Sequence, residues 1–305
     1  RFEAAQNASA CRFAIRAGVV RHCEAARQPH VSQWCRSQSH ILATFIVALA
    51  LLGQLARLPD AEFFLSCAET LDWILAPGAT APVPLLAQNR RPSARGALLI
   101  PHSHLLSVWA LRTELELPFL DLPWARKAKR AVFRGSAGKH FSGLSYREAF
   151  LDRALGNADA ASLIDAKLTG YQTPTDLPTR RKLMNDSIWG RSLSLQEHLA
   201  FAYILDMDGG GGHSDRFLWA GLSSSVPVRV ASPQESWLGA LLTPFEHYVP
   251  VMPEGDDLMQ RLRWLSDHDS EAQAIAERSR SLALERVRFE HALHYVYRLL
   301  EALGR

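Results

Sequence analysis

The chain lacks any apolar run long enough to cross a bilayer, any marked excess of charge, and any closely spaced pair of cysteines. Each lack excludes something. The longest apolar stretch, Ile41 to Leu52, is about a dozen residues and is followed by Gly53, Gln54 and Arg57, whereas a span needs roughly 20, so it reads as a buried helix and no transmembrane span is expected. With 34 basic and 31 acidic side chains the net charge is +3, which gives no reason to expect a nucleic-acid partner. The four cysteines, Cys11, Cys23, Cys35 and Cys67, show no C-x-x-C spacing, which speaks against a zinc site. They can pair in three ways, and sequence does not choose among them.

What is present is globular. Hydrophobic residues make up 48% and charged residues 21% of 305, near the averages for folded domains and enough chain for two medium domains. No internal repeat is visible. Two short sequons, Asn7-Ala8-Ser9 and Asn185-Asp186-Ser187, would accept glycans in a secretory lumen.

Along the chain, Arg12 to Cys23 reads as a hairpin around Ala17-Gly18. The apolar helix follows, then Ala61 to Cys67 as a buried strand, and Pro82 to Leu86 and Gly96 to Ile100 as short apolar runs. Strands alternating with helices predict an α/β fold with a mostly parallel sheet. The basic stretch Trp124 to Arg130 reads as a solvated linker face, with a phosphate or membrane patch as the alternative. A domain boundary is placed near Pro123, dividing residues 1–123 from 124–285, with 286–305 a C-terminal helix that packs back on the first domain. In the second half, Leu195 to Ala202 reads as helix, Tyr203 to Met207 as strand, Gly209 to Gly212 as loop, Ser214 to Leu222 as helix and Val226 to Val230 as strand. Helix continues from Asp256 to the end.

The sharpest local signal is Tyr203 to Phe217, YILDMDGGGGHSDRF, a strand running into four glycines and a Ser-x-Arg that opens a helix. Glycines admit close backbone approach, a helix N-terminus presents unpaired N–H groups, and Arg216 adds a forked cation, so the segment suits a diphosphate. The plain alternative is a flexible loop with a serine cap. It is neither a Walker motif nor GxGxxG. Asp206-Met207-Asp208 spells D-x-D, which could instead hold a divalent metal, although Arg216 can neutralise a diphosphate alone. Phe133-Arg134-Gly135-Ser136 repeats the strand-end logic, and Arg134 with Arg216 could grip one diphosphate; alone, such an arginine is usually a salt-bridge partner.

These pieces resemble glycosyltransferase family 90, the Rumi-type protein O-glucosyltransferases and their relatives. The resemblance is carried by LPDAEFF (Leu58 to Phe64), LLIP (Leu98 to Pro101), PWARKAKRAVFRGS (Pro123 to Ser136), LDMDGGGGHSDR (Leu205 to Arg216), SSSVPVRV (Ser223 to Val230) and ESWLGALLTPFEHYVPV (Glu235 to Val251). It implies a GT-B architecture, two Rossmann-like domains facing a central cleft, and inverting, metal-independent transfer of glucose or xylose from a UDP-sugar to a hydroxyl of a protein or glycan. UDP-sugar is then a co-substrate, and no cofactor or metal is expected. The implied location is the endoplasmic reticulum or Golgi lumen.

Residue by residue, the resemblance places the phosphates on Arg134, Gly135 and Ser136 and on Gly211, Gly212, His213, Ser214, Asp215 and Arg216. Glu235 would contact ribose or serve a structural role, and Arg36 would lie near the sugar. Counting from Asp60 puts the general base at Glu69, with Asp72 the runner-up, taking the acceptor proton as its oxygen attacks the anomeric carbon. If neither acts, the chain is an inactive glycan- or nucleotide-binding relative. His247-Tyr248 is expected to buttress the cleft, while His102 and His104 would line the acceptor side. Departures from the family pattern include a glycine loop one residue longer, Ala202 in place of a lysine, Pro227 within a strand, and a short segment between Ile100 and Pro123 that makes a folded EGF-like acceptor unexpected.

Overall fold

A computed structural model describes residues 10–22, 39–66, 83–94, 96–137, 146–170, 188–209 and 215–304. Two five-stranded sheets organise two α/β lobes. The first contains β1 (Ala10–Arg16), β2 (Val19–His22), β3 (Ala61–Ser66), β4 (Leu85–Ala87) and β6 (Ala97–Leu99), in the order β2-β1-β3-β4-β6. β3, β4 and β6 run parallel, while β1 pairs antiparallel with β2 and β3. The hairpin turns through Ala17 and Gly18, both at positive φ, the backbone handedness that matches two-residue hairpins.

Alternation along β1 and β3 buries Phe13, Ile15, Phe63 and Leu65. Register sets Phe13 opposite Phe63, and their rings stack at 5.4 Å between centroids. Helix α1 (Ser39–Leu55) lays Ile41, Phe45, Ala48, Leu49 and Leu52 inward at helical spacing, with Phe45 edge-on to both rings. Among the described residues no helix is long and apolar enough to cross a membrane.

Helix α2 (Val108–Leu120), capped by Ser107, leads to a short 3₁₀ turn, Trp124–Arg126, and the second lobe. Its strands are β7 (Ala128–Gly135), β8 (Ile164–Leu168), β9 (Phe201–Asp206), β10 (Val226–Val230) and β12 (Val249–Val251). All are parallel, in the order β12-β10-β9-β7-β8. Counting only these strands, the order is 2-1-3-4-5, a doubly wound sheet whose direction of winding reverses between β7 and β9. Helices α3 (Tyr146–Leu155), α4 (Ala160–Leu163), α5 (Leu195–Leu199), α6 (Arg216–Leu222), α7 (Leu258–Asp267) and α8 (Asp269–Arg286) belong to this lobe. Every residue of β10 is buried, as a strand covered on both faces requires. Pro227 fits inside β10 because pairing with β12 starts only at Val228.

The basic stretch is a solvated face only in part: Arg126 is exposed, but the other three basic residues have partners. Lys127 is buried, its ammonium donating to Asp121 and to the Leu199 carbonyl. Lys129 pairs with Asp269 and lies 3.7 Å from the centre of the Trp124 ring, and Arg130 donates to the carbonyls of Ala161 and Ile164. These charges are matched within the lobe, and Asp121 also accepts from the backbone and hydroxyl of Ser224.

Among the described residues the lobes meet through a shared hydrophobic core as well as the chain near Pro123, and two elements reach across. The antiparallel pair β5 (Asn89–Arg90) and β11 (Glu235–Ser236) takes one strand from each. Helix α9 (Phe289–Leu303), the last of the chain, sets Val296 and Leu300 into the core that contains Phe13 and Phe63. Its Tyr295 hydroxyl donates to the Leu99 carbonyl.

Candidate active site

The carboxyl ends of β7, β9 and β10 gather the charged residues of the second lobe. In open parallel sheets ligands bind outside these ends, at the winding reversal. β9 closes on buried Asp206 and continues through Met207 and Asp208 into the glycine loop, of which residues 210–214 lie outside the described set. The loop re-emerges at Asp215, and Arg216 opens α6.

Arg216 donates to the Arg134 carbonyl at 2.7 Å and lies over the rings of Phe133 (4.7 Å) and Trp219 (5.6 Å). Arg147, from α3, bridges the reversal itself: its guanidinium donates to the carbonyls of Ser136 beyond β7 and of Met207 and Asp208 beyond β9, at 2.8 to 3.1 Å. Gly135 is required by this approach, since a Cβ there would meet the Phe133 ring at 2.9 Å and Arg147 Nη1 at 3.2 Å. Arg229, on β10, stands 3.9 Å from Asp206, between the rings of Phe217 and Tyr248. Three guanidinium groups thus surround Asp206 and Asp208, with Asp215 at the edge.

Burial shapes the electrostatics. It pushes the Asp206 carboxyl above its usual range despite Arg229 and Arg216. Asp208 rises to about 6, through burial first and the charge of Asp206 next, against the hydrogen bond donated by the Ser232 hydroxyl. Arg147 falls to about 10, through burial and then repulsion from Arg216. Below about pH 6 the cluster therefore favours an anion.

One consequence is a pH dependence. Asp208 is neutral below about pH 6 and charged above it. Sulfate, an anion with no proton to lose in this range, should bind more weakly as pH rises through 6, by roughly tenfold, the factor for one added charge at this scale of separation. Asp208→Asn should flatten that profile in calorimetric titrations at pH 5 and 8; a slope unchanged by the substitution would show that Asp208 does not face the ligand.

The structure separates the two arginines that sequence spacing brings together. All three guanidinium nitrogens of Arg134 are occupied: Nη2 by the Asp165 carboxylate, Nη1 by the carbonyls of Phe133 and Asp165, and Nε by the carbonyl of Arg191. The carbonyls of Phe133 and Gly135 point toward β8, where Arg134 Nη1 and the Thr169 N–H take them. That of Arg134 points the other way, to Arg216. Successive carbonyls of a strand face opposite edges, so the guanidinium groups sit on opposite sides of β7. The common grip is corrected accordingly: Arg134 contributes its backbone, and Arg147 occupies the reversal.

Gly135 and Ser136 lie at the strand end as expected. Asp215 and Arg216 lie at the start of α6. Glu235 is exposed on β11, ion-paired with Arg90 at 2.9 Å across the lobes, a tie between lobes in this structure. Gly211, Gly212, His213, Ser214, Arg36, Glu69 and Asp72 fall outside the described residues, as do both sequons. His247 Nδ1 accepts from the Thr243 N–H, and the Tyr248 ring lies 5.9 Å from the Arg229 guanidinium. His102 and His104 stack on each other at 5.1 Å. Sequence reasoning missed Arg147 and Arg229. The second left a readable trace, an arginine inside the otherwise apolar VPVRV; the first left none.

The family described as Glycosyl transferase family 90 matches residues 20–305. The chain belongs to glycosyltransferase family 90. Among curated relatives, human Protein O-glucosyltransferase 3 is 25% identical over 257 residues, 80% of this chain and 46% of its own length. The O-glucosyltransferase rumi of Drosophila pseudoobscura is 23% identical over 267 residues, 83% of this chain and 62% of its own. The chain spans about half the length of several curated relatives it matches. Among solved structures, Anabaena Alr3699/HepE in complex with UDP-glucose aligns with a TM-score of 0.42 at 12% identity, covering 65% of this chain and 54% of that one. The α/β fold expected for the family-90 chain is what the two sheets display.

Proposed function

We propose that this family-90 chain transfers glucose or xylose from a UDP-sugar to a hydroxyl of a protein or glycan, with inversion and without a metal. The observation that supports this best is Arg216, delivered by the glycine loop to the winding reversal of a parallel sheet, within a cluster that burial biases toward binding anions. Family membership and the names of its relatives, protein O-glucosyltransferases, give the reaction class.

In this reading the donor diphosphate lies against Arg216 and the main chain at the ends of β7 and β9. Arg147 and Arg229 add positive potential from beneath and hold those strand ends in place. As the bond to the anomeric carbon breaks, charge grows on the leaving diphosphate, and preorganised cations lower that barrier most where water is excluded. The proton of the acceptor hydroxyl goes to a carboxylate of the first lobe, for which Glu69 is the proposed residue and Asp72 the second. Two of the carboxylates that a metal would need are engaged here, Asp206 facing Arg229 and Asp208 accepting from Ser232, which favours neutralisation by arginine. A lumenal location is proposed on the same family grounds.

Purified protein incubated with UDP-glucose or UDP-xylose and a mixed glycan acceptor should release UDP at a rate unchanged by EDTA. Loss of release in EDTA would transfer the role of Asp206 and Asp208 to metal binding. No release with either donor, while UDP still binds, would identify an inactive nucleotide-binding relative.

A further inference from the structure

One buried polar group beside the phosphate seat takes no part in the chemistry proposed above. His198 lies on α5 and is only 7% exposed. Its helix is tied at both ends. Ser194 caps it in a reciprocal box with Glu197, and at the far end the carbonyls of Leu199 and Ala200 accept from the Lys127 ammonium and from the N–H of Ala128, where β7 begins. The imidazole is therefore carried on a fixed backbone. Its Nδ1 stands 2.8 Å from the Ser194 carbonyl, and a carbonyl only accepts, so Nδ1 bears the proton. Burial first, and then the charges of Arg216 and Arg134, outweigh that bond and hold the imidazole pKa down to about 4, which keeps the ring neutral around pH 7. Nε2 is then a bare lone pair. It is buried and has no hydrogen-bond partner among the described residues, a costly state for a polar atom.

The ring that carries this lone pair backs the seat of Arg216. Its centroid lies 5.3 Å from that of the Trp219 ring, with 58° between the planes. Trp219 follows Arg216 by three residues on α6, so the two side chains share one face of that helix, and the guanidinium lies 5.6 Å from the same indole. Burial works against the charge of Arg216. A neutral ring whose unprotonated edge carries partial negative charge eases that cost without cancelling the cation, whereas a carboxylate in the same place would compete with a phosphate for it.

We propose that His198 is a positioning residue for Arg216: through Trp219 and the unprotonated edge of its own ring, it holds the guanidinium in the orientation that meets the charge growing on the departing diphosphate. This rests on the UDP-sugar reading above. It differs from a packing role, since an apolar ring of similar size fills the space but has no lone pair. It differs equally from a role in capping α5, which needs only the N–H given to Ser194.

The test compares His198→Phe, His198→Asn and His198→Gln in the UDP-release assay, with melting curves alongside. Phenylalanine keeps a ring and loses both nitrogens, asparagine keeps a donor for Ser194, and glutamine keeps an acceptor near the place of Nε2. His198→Phe should lower kcat about tenfold, the loss of one polar interaction with a charged group. KM for UDP-glucose should change less than about twofold, because a fixed orientation matters most as charge develops. His198→Gln should recover most of the loss and His198→Asn little of it. In an Arg216→Ala background, His198→Phe should change turnover less than about twofold, as expected when one residue acts through the other. If His198→Phe melts more than about 5 °C below wild type, the asparagine and glutamine variants decide the matter. Wild-type turnover in His198→Phe, recovery by asparagine rather than glutamine, or an undiminished effect without Arg216 would each overturn the assignment while leaving the transferase reading in place. Absence of UDP release by the wild type with either donor would overturn that reading and this one with it.

Discussion

Replacing Arg216 by alanine should reduce kcat/KM for the UDP-sugar by at least about a hundredfold, the usual cost of deleting one preorganised group that faces charge developing in a transition state. The reason is geometric. Arg216 is the cation nearest the glycine loop in sequence, and the rings of Phe133 and Trp219 restrict its guanidinium to one plane, while the Arg134 carbonyl fixes one end of the fork. Arg216→Lys should recover little, because a point charge on a flexible stem cannot both hold that carbonyl and present a planar fork. Calorimetry with UDP, beside the UDP-release assay, separates lost binding from lost catalysis. Full UDP affinity and turnover in Arg216→Ala would remove the central support for the diphosphate site.

The second large effect should fall on stability. Arg147→Met is expected to cost roughly 3–5 kcal/mol, the range for removing one partner from a buried charged network, and to lower the melting temperature by roughly 10 °C. Methionine fills much of the volume but donates nothing, so the carbonyls of Ser136, Met207 and Asp208 lose their shared partner. Those carbonyls belong to strand ends on either side of the winding reversal, and without a bridge the phosphate seat has no fixed width. UDP affinity should fall with the melting point. A variant melting within about 2 °C of wild type would show that water serves these carbonyls equally well.

Local patterns in the sequence carried most of the architecture. Ala17-Gly18 between alternating residues announced the hairpin, the dozen apolar residues after Ile41 announced a buried helix, and the all-buried β10 was visible as VPVRV despite its proline. Pairings between distant strands were not legible. Arg134 ends a strand in front of a Gly-Ser and so resembles a ligand grip. Its partner Asp165 lies on the neighbouring strand 31 residues away, and nothing in the local sequence of either residue records the pair. Lys127 was hidden in the same manner, since a basic run looks solvated until Asp121 and the end of α5 close over it. Arg147 carries no motif because its importance comes from where the winding of the sheet reverses. The glycine loop stood out in the sequence because its function is written in consecutive residues.

The course of α9 bears on how the protein is made. Val296 and Leu300 complete the hydrophobic interior around Phe13, Phe45 and Phe63, and Glu114 of α2 accepts from the backbone N–H of Phe289 at the start of that helix. The first lobe is therefore completed by a helix that follows the whole second lobe in sequence. Its aromatic surface stays open until that helix has been synthesised, which makes shielding by a chaperone most valuable during that interval.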